Sequence, residues 1–492
     1  MRTSNFLLLL LSMGLSLVLS CGNQCDAQEP DKRPNILLAI ADDWGWPHAG
    51  AYGDPAVHTP AFDRLASEGI LFRQAFVSSP SCTPSRGAIL TGRYHWQLGV
   101  AGNLYGSFPD SESTYVQLLE KSGYQTGRTG KCWGPGVPET KTRPLGGTAY
   151  KSFGQFYSQR DPNKPFCFWL GSSDPHRPYS LGSGEENGID LATIQLPACF
   201  PDSPMVRGDV ADYYFAVQRF DRLIGEAVAL LEKSDQLDNT LIVMTGDHGM
   251  PFPRCKSHIY DSGSRVPLAI RFPKSIPPSR STDALVSLID LAPTFLDIAG
   301  VAVPDSISGR SLLPIFQGND SDRTTVYFGK ERHVPSQEAP DSGGYPCRGI
   351  RTSDFLYIQN YEPDRWPSGT PNFDQAFIPG SWYSDSDNGP TKTYMIQHKD
   401  DSPENQRLYN LAFAKRPAEE LYDLATDPDQ MINVAQSPKF SGQKLQLQTE
   451  LAAIQKQTND PRARGQGDLF DKAPYTGGSP KHPSYKRPRP AK

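Results

Sequence analysis

The sequence predicts an α/β chain in two parts: a doubly wound, mixed or parallel sheet flanked by helices, then a smaller C-terminal α+β domain carrying an antiparallel sheet. Three observations carry that expectation. Apolar runs that suit strands buried on both faces alternate with helical patterns. Three of those runs end in polar clusters containing an acid, and after Ser311-Leu-Leu-Pro-Ile-Phe316 the texture changes to shorter segments with Tyr and Trp. The length of 492 residues suits two or three domains.

The first strand is Asn35-Ile-Leu-Leu-Ala-Ile-Ala41, bounded by Pro34 and by Asp42 and Asp43. A helical pattern follows at Thr59-Pro-Ala-Phe-Asp-Arg-Leu-Ala-Ser-Glu, and another at Thr114-Tyr-Val-Gln-Leu-Leu-Glu-Lys. Phe166-Cys-Phe-Trp-Leu-Gly171 is the second buried strand and runs into Asp174-Pro-His176. A helix from Tyr213 to Glu232 leads to the third, Leu241-Ile-Val-Met-Thr245, which ends at Asp247 and His248. In a doubly wound sheet the carboxyl ends of such strands form the ligand crevice, so the acids at these ends converge. In the second part, Phe355-Leu-Tyr-Ile-Gln-Asn360 and Glu420-Leu-Tyr-Asp-Leu424 read as its strands. The domain boundaries drawn are 33–318 for the first part and 319–460 for the second.

The two ends differ from this body. Arg2 precedes an apolar run from Phe6 to Leu19 that is too short for a typical spanning helix, so residues 1–27 read as an export or lipoprotein signal. Export to the periplasm or cell exterior is expected, with Cys21 as a candidate lipid anchor and no transmembrane helix in the mature chain. Residues 461–492 are rich in Pro, Gly, Lys and Arg and read as a solvated basic tail. A net charge of −5 offers no broad positive field, which excludes nucleic acid as the expected partner. The eight cysteines show no zinc-ribbon spacing.

Asp42 and Asp43 at one strand end, with Asp247 and His248 at another, offer ligands for a divalent cation, since adjacent carboxylates repel unless a metal or proton neutralises them. The segment Ser81-Cys82-Thr83-Pro84-Ser85-Arg86, continued by Leu90-Thr91-Gly92-Arg93, then carries a resemblance. A cysteine followed by x-Pro-Ser-Arg is similar to the signature of the sulfatase family. Asp42-Asp43, Gly130-Lys131, Asp174-Pro-His176, Tyr260-Asp-Ser-Gly-Ser-Arg-Val-Pro267 and Tyr422-Asp-Leu-Ala-Thr-Asp-Pro428 extend it over most of the chain.

The resemblance implies an alkaline-phosphatase-like fold and a sulfuric ester or sulfamate hydrolase. It implies that a formylglycine-generating enzyme oxidises Cys82 to formylglycine. The hydrated aldehyde offers one hydroxyl to attack sulfur and a second whose deprotonation expels sulfate. Asp42, Asp43, Cys82, Asp247 and His248 form the implied metal set, for calcium, with Mn²⁺ or Mg²⁺ as alternatives. Arg86 would stabilise the diol, Lys131 and Lys256 the sulfate oxygens, and His176 would donate a proton to the leaving group. The sequence departs from the family at two positions: His248 stands where most members have Asn, and Trp133 where they place a histidine.

Within the family, Gly246-Asp-His-Gly-Met-Pro-Phe-Pro-Arg-Cys-Lys256 resembles the heparan N-sulfatase (sulfamidase) subgroup. That implies a sulfated saccharide substrate, with the N-sulfate of glucosamine as the leading reading. Asp174, Arg177 and His48 are the candidate sugar contacts, joined by His333 and Arg348 from Glu331-Arg332-His333 and Tyr345-Pro-Cys-Arg348, read as loops reaching over the site. An O-sulfatase on another polysaccharide, a phosphonate or phosphodiester hydrolase, and a non-catalytic glycan binder are the alternatives. Cys132 and Cys255, each beside an assigned lysine, are a candidate disulfide. The oligomeric state is left open.

Overall fold

The computed structural model describes residues 33–319, 321–478, 481, 482 and 486. The export signal and Cys21 lie outside the described residues, as do Cys25 and the final Pro-rich residues. The strands in chain order are β1 (Asn35–Ala41), β2 (Ile70–Phe76), β3 (Ser107–Phe108), β4 (Gln125–Thr129), β5 (Val137–Pro138), β6 (Thr148–Ala149) and β7 (Phe166–Gly171). They continue with β8 (Thr240–Gly246), β9 (Arg265–Arg271), β10 (Arg280–Ser287), β11 (Val326–Lys330), β12 (Cys347–Arg351), β13 (Phe355–Asn360) and β14 (Glu419–Asp423).

Eight of these form one sheet in the order β10-β2-β9-β8-β1-β7-β4-β6. The sheet is mixed: β1 pairs in parallel with both β7 and β8, while β9 runs antiparallel between β8 and β2. Strand β1 shows why its sequence is apolar throughout. Leu37, Ala39 and Ala41 enter one core while Ile36, Leu38 and Ile40 enter the other, because successive side chains alternate across the sheet. The long helix Pro204–Lys233, begun by Ser203 capping Val206 N–H, covers the first face together with Pro60–Glu68. Tyr115–Lys121 and Leu291–Ile298 cover the second.

The second sheet is antiparallel, in the order β11-β12-β13-β14. It packs a face bearing Phe328, Leu356 and Ile358 against Phe76 and Ile259 of the first part. The helix Ser441–Gln457 covers its other face through Leu447 and Leu451. Among the described residues, no helix is long and apolar enough to cross a membrane.

Two expectations are corrected at this level. The described stretch after residue 460, up to Gly478, does not simply trail into solvent: Phe470 is fully buried, and the short helix Asp468–Asp471 packs on the body. A lone Phe in a polar stretch provides the anchor, and paired charges fix the rest. The Cys132–Cys255 disulfide is also absent. Both thiols are free, and they lie in cores on opposite faces of the large sheet, Cys132 with Trp169 and Cys255 with Phe252. Cys255 instead shares a thiol hydrogen bond with Cys199, which is also free.

Candidate active site

Four neighbouring strands of the large sheet end at the site. Asp42 and Asp43 follow β1, Lys131 follows β4, Asp174 and His176 follow β7, and Asp247 and His248 follow β8. Because β4, β7, β1 and β8 are consecutive, their carboxyl ends open on one crevice. Asp43 has left-handed backbone, φ 75, a conformation unfavourable for a residue with a Cβ. Its amide donates to Asp247 Oδ1 at 2.9 Å, which fixes the turn. Gly130, φ 61, is needed where it stands, since a Cβ there would fall 2.1 Å from Gly171 O.

Cys82 is the first residue of the buried helix Cys82–Thr91 and so sits at its electropositive end. Its Sγ lies 3.3 Å from His248 Nε2 and 3.6 Å from Asp42 Oδ1. Burial pushes the thiol well above its ordinary pKa, and Asp42 and Asp247 add to this against the opposing Lys131. One turn on, Arg86 is wholly buried and clamps two carboxylates, with Nε 2.7 Å from Asp247 Oδ2 and Nη2 3.3 Å from Asp42 Oδ1.

Lys131 Nζ donates to both oxygens of Asp42 at 2.7 Å, and Lys256 Nζ donates to Asp43 Oδ2 at 2.9 Å. Burial alone would raise the Asp42 carboxyl, but Lys131 and Arg86 outweigh it and hold the group well below its ordinary value. His176 Nδ1 is 2.6 Å from Arg177 O, so that carbonyl accepts a hydrogen bond from Nδ1–H and leaves Nε2 facing Asp43 Oδ2 at 3.8 Å.

The residues fit a divalent cation. His248 Nδ1 is 3.0 Å from Gly249 O, which accepts a hydrogen bond from Nδ1–H and leaves the Nε2 lone pair 3.2 Å from Asp43 Oδ1. That oxygen is buried and has no hydrogen-bond partner. Two lone pairs facing one another in a buried site are relieved by a cation between them. Atoms of Asp43, Cys82 and His248, and of Asp42, Cys82 and Asp247, lie within 4.8 Å of one another in two overlapping sets.

The family model described as Sulfatase matches residues 34–150 and 148–301, just over half of the chain, and that described as N-sulphoglucosamine sulphohydrolase, C-terminal, matches 246–367. The chain belongs to the sulfatase family. This sulfatase is 30% identical over 492 residues to the N-sulphoglucosamine sulphohydrolase of Homo sapiens, covering 87% of this chain and 91% of that one. It is 28% identical to an ulvan-active sulfatase of Formosa agariphila, over 87% of this chain and 81% of the relative. A solved structure of a protein bound to its substrate D-glucosamine-2-N,6-O-disulfate shares the fold at TM-score 0.60 and 22% identity, over 87% of this chain and 98% of the other. The phosphonate monoester hydrolase of Agrobacterium radiobacter does so at TM-score 0.58 and 18% identity, over 87% and 96%.

A cavity of about 480 Å³ opens on the cluster, and the sulfatase lines it with Asp42, Cys82, Lys131, His176, Lys256 and His333 from the expected set. His333, with Nδ1 2.8 Å from Ser81 Oγ, reaches the site from the second part of the chain. Trp133 also lines the cavity, packed edge-on against Phe108 with its Nε1 against Gly87, so it supplies wall rather than a donor. Asp387 is there too, 2.9 Å from Lys256 Nζ. Sequence reading passed over it because Ser384-Asp-Ser-Asp-Asn388 has the composition of a solvated turn.

Four expected sugar contacts are not at the cavity. Arg348 lies in β12, not in a loop over the sugar, and is wholly buried between Glu331 Oε1 at 2.6 Å and Asp460 Oδ2 at 2.8 Å. Arg177 closes its fork on both oxygens of Asp209 at 2.7 Å, between the rings of Tyr179 and Phe252. Asp174 is held by Arg219, at 2.9 and 2.5 Å. His48 is bonded to Tyr214 at 3.0 Å and faces a separate cavity with Trp46 and Arg265. In each case the charge or ring is already matched by a partner distant in sequence, a pairing that spacing does not reveal.

Proposed function

We propose that this sulfatase removes sulfate from a sulfated saccharide, with the N-sulfate of glucosamine as its bond, and that Cys82 acts after oxidation to formylglycine. The carrying observation is the position of Cys82: at a helix N-terminus, against His248 and Asp42, in a cavity that also holds Lys131 and Lys256.

Arg86 orients the side chain at position 82 through the carboxylates of Asp42 and Asp247. Lys131 and Lys256 neutralise the sulfate oxygens and draw negative charge into the cavity. His176, with Nδ1 held by the Arg177 carbonyl, presents Nε2 to the departing nitrogen or oxygen and, when protonated, donates to it. Asp42, Asp43, Asp247 and His248 would hold the cation, which when bound lowers the pKa of a coordinated hydroxyl and stabilises charge on sulfate. Calcium is the cation proposed. His248, a nitrogen ligand, favours Mn²⁺ as the second reading and with it phosphonate hydrolysis.

Support for the N-sulfate comes from the match of residues 246–367 to the sulphohydrolase C-terminal model and from the acceptor that Asp387 offers in the cavity. Asp387 takes the part expected of Asp174: a carboxylate able to accept a hydrogen bond from a sulfamate nitrogen. Export and processing by a formylglycine-generating enzyme complete the proposal. Peptide mass spectrometry across Cys82, on protein made with that enzyme, tests it. Loss of the thiol sulfur in exchange for an aldehyde oxygen, together with sulfate release that Cys82→Ala abolishes, is expected. An unmodified thiol in protein that still releases sulfate contradicts it.

A further inference from the structure

Lys256 enters the active-site cavity from an irregular loop, residues 247–260, that follows β8. Two of its residues, Arg254 and Ser257, carry left-handed backbone with φ 63 and 65, a conformation unfavourable for residues with a Cβ. The loop also touches the segment leading to Cys82, since Ser257 N–H donates to Pro80 O at 2.9 Å. Backbone in this conformation persists only where its surroundings impose it.

One of those surroundings is the chain just ahead of the long helix Pro204–Lys233. The Phe200 ring stacks on Phe252, with centroids 5.6 Å apart and planes 27° from parallel. Cys199, beside Phe200, shares a thiol hydrogen bond with Cys255, the residue before Lys256. Both thiols are free, and both are buried in one core with Phe200, Met250 and Phe252. Neither lines the active-site cavity. Cys199 instead lines the separate cavity of about 360 Å³ beside His48 and Trp46, so one sulfur of the pair borders a space that a small reagent can enter.

We infer that Cys199 and Cys255 form a disulfide cross-link that fastens the Lys256 loop to the chain ahead of the long helix. Sulfurs already in hydrogen-bond contact have only to close to about 2.05 Å. The hydrogen bond from Cys255, helped by Arg254, lowers the pKa of Cys199, while burial holds that of Cys255 up, so Cys199 is the sulfur that starts the exchange. Its thiolate attacks one sulfur of an oxidant disulfide of the thiol-oxidoreductase class, which forms a mixed disulfide and releases one sulfur of the oxidant as a thiol. Cys255 then gives up its proton and attacks the Cys199 sulfur, expelling the second thiol. Two electrons and two protons pass from the protein thiols to the oxidant. The export proposed above would supply the oxidising compartment in which such a bond persists. The cross-link also encloses the long helix and β8, so it restricts the unfolded chain as well as the loop.

The test uses full-length protein folded in an oxidising compartment and then unfolded in the presence of an alkylating reagent. Peptide mass spectrometry without reduction is expected to find the peptides of Cys199 and Cys255 joined, lighter than their sum by the mass of two hydrogen atoms. Hydrogen exchange then compares the native protein with a sample treated with a phosphine reductant and with Cys199→Ala, which leaves the sequence of the Lys256 loop unchanged. The amides of Cys255, Lys256 and His258 donate to Phe252 O, Met250 O and Cys255 O. They are expected to exchange about 10-fold more slowly in the cross-linked protein than in either comparison sample.

Cys199 and Cys255 recovered alkylated, or joined to other sulfurs, overturn the inference. So does a joined pair whose loop amides exchange no more slowly than those of Cys199→Ala. Neither readout requires turnover, so a failure here leaves the proposed function standing, and a failure to release sulfate leaves the cross-link standing.

Discussion

Lys256 Nζ lies 2.9 Å from Asp387 Oδ2, so a lysine on a loop of the large sheet and an aspartate between β13 and β14 meet inside one cavity. Burial raises the Asp387 carboxyl, but Lys256 and His176 outweigh it and keep the group ionised, below the ordinary carboxylate range. The loop is held from behind. Lys392 donates to Tyr383 O, Ser386 O and Asn388 Oδ1, while Asp209 ties Arg177 to Thr391.

Replacing Asp387 with Ala is expected to lower kcat/KM on N-sulfoglucosamine by about 10–100-fold, and on glucosamine 6-O-sulfate by less. Steady-state kinetics on both sugars checks this. Equal loss on the two would limit Asp387 to placing Lys256.

A bound cation stabilises the folded state by mass action, by about 2.7 kcal/mol at a hundred times its dissociation constant. Thermal unfolding with and without calcium is therefore expected to show a concentration-dependent rise in Tm. Asp247→Ala is expected to abolish that rise, because it removes a cation ligand and also releases Arg86. A calcium-dependent shift that survives the substitution would place the ion elsewhere.

Arg348 separates the two views of the second sheet. As a sugar contact, Arg348→Ala would raise KM and leave stability alone. As the buried partner of Asp460 and, together with Arg462, of Glu331, its loss leaves Asp460 without its paired charge and costs about 3–5 kcal/mol. Denaturant unfolding is expected to show that loss of stability.

These cases mark what the sequence conveys. Strands β1, β7 and β13 were legible with their ends, because a continuous apolar run stopped by Pro34, by Asp42 or by a polar turn has few other meanings. The meeting of Cys82, Arg86 and the strand-end acids in one crevice was legible from motif and topology together. Arg348 and Arg177 were misplaced for one reason: a buried arginine and a substrate-binding arginine look alike until their carboxylates, 112 and 32 residues away, are located. Asp387 and Phe470 escaped notice because the sequence around each is polar, and only tertiary packing brings either one inside.

Acid sensitivity follows from two buried histidines. Burial, with Arg348 beside His95 and Lys330 beside His258, holds both rings well below the ordinary histidine value. As pH falls through about 6.5 the unfolded chain takes up a proton at each site and the native chain does not. Their contribution is complete above that pH and lost below it, at up to about 1.4 kcal/mol per pH unit for each ring. Tm is expected to fall between about pH 6.5 and 5. The fall is expected to be shallower in His258→Asn, which keeps a polar partner for Ser368 without a titrating ring.

The most direct test is sulfate release by protein made with a formylglycine-generating enzyme and supplied with calcium or manganese, comparing N-sulfoglucosamine, glucosamine 6-O-sulfate and a phosphonate monoester. The account predicts the highest kcat/KM on N-sulfoglucosamine with calcium. A preference for the 6-O-sulfate would contradict the assigned bond while keeping the chemistry at Cys82, and a preference for the phosphonate with manganese would contradict the account of the site itself.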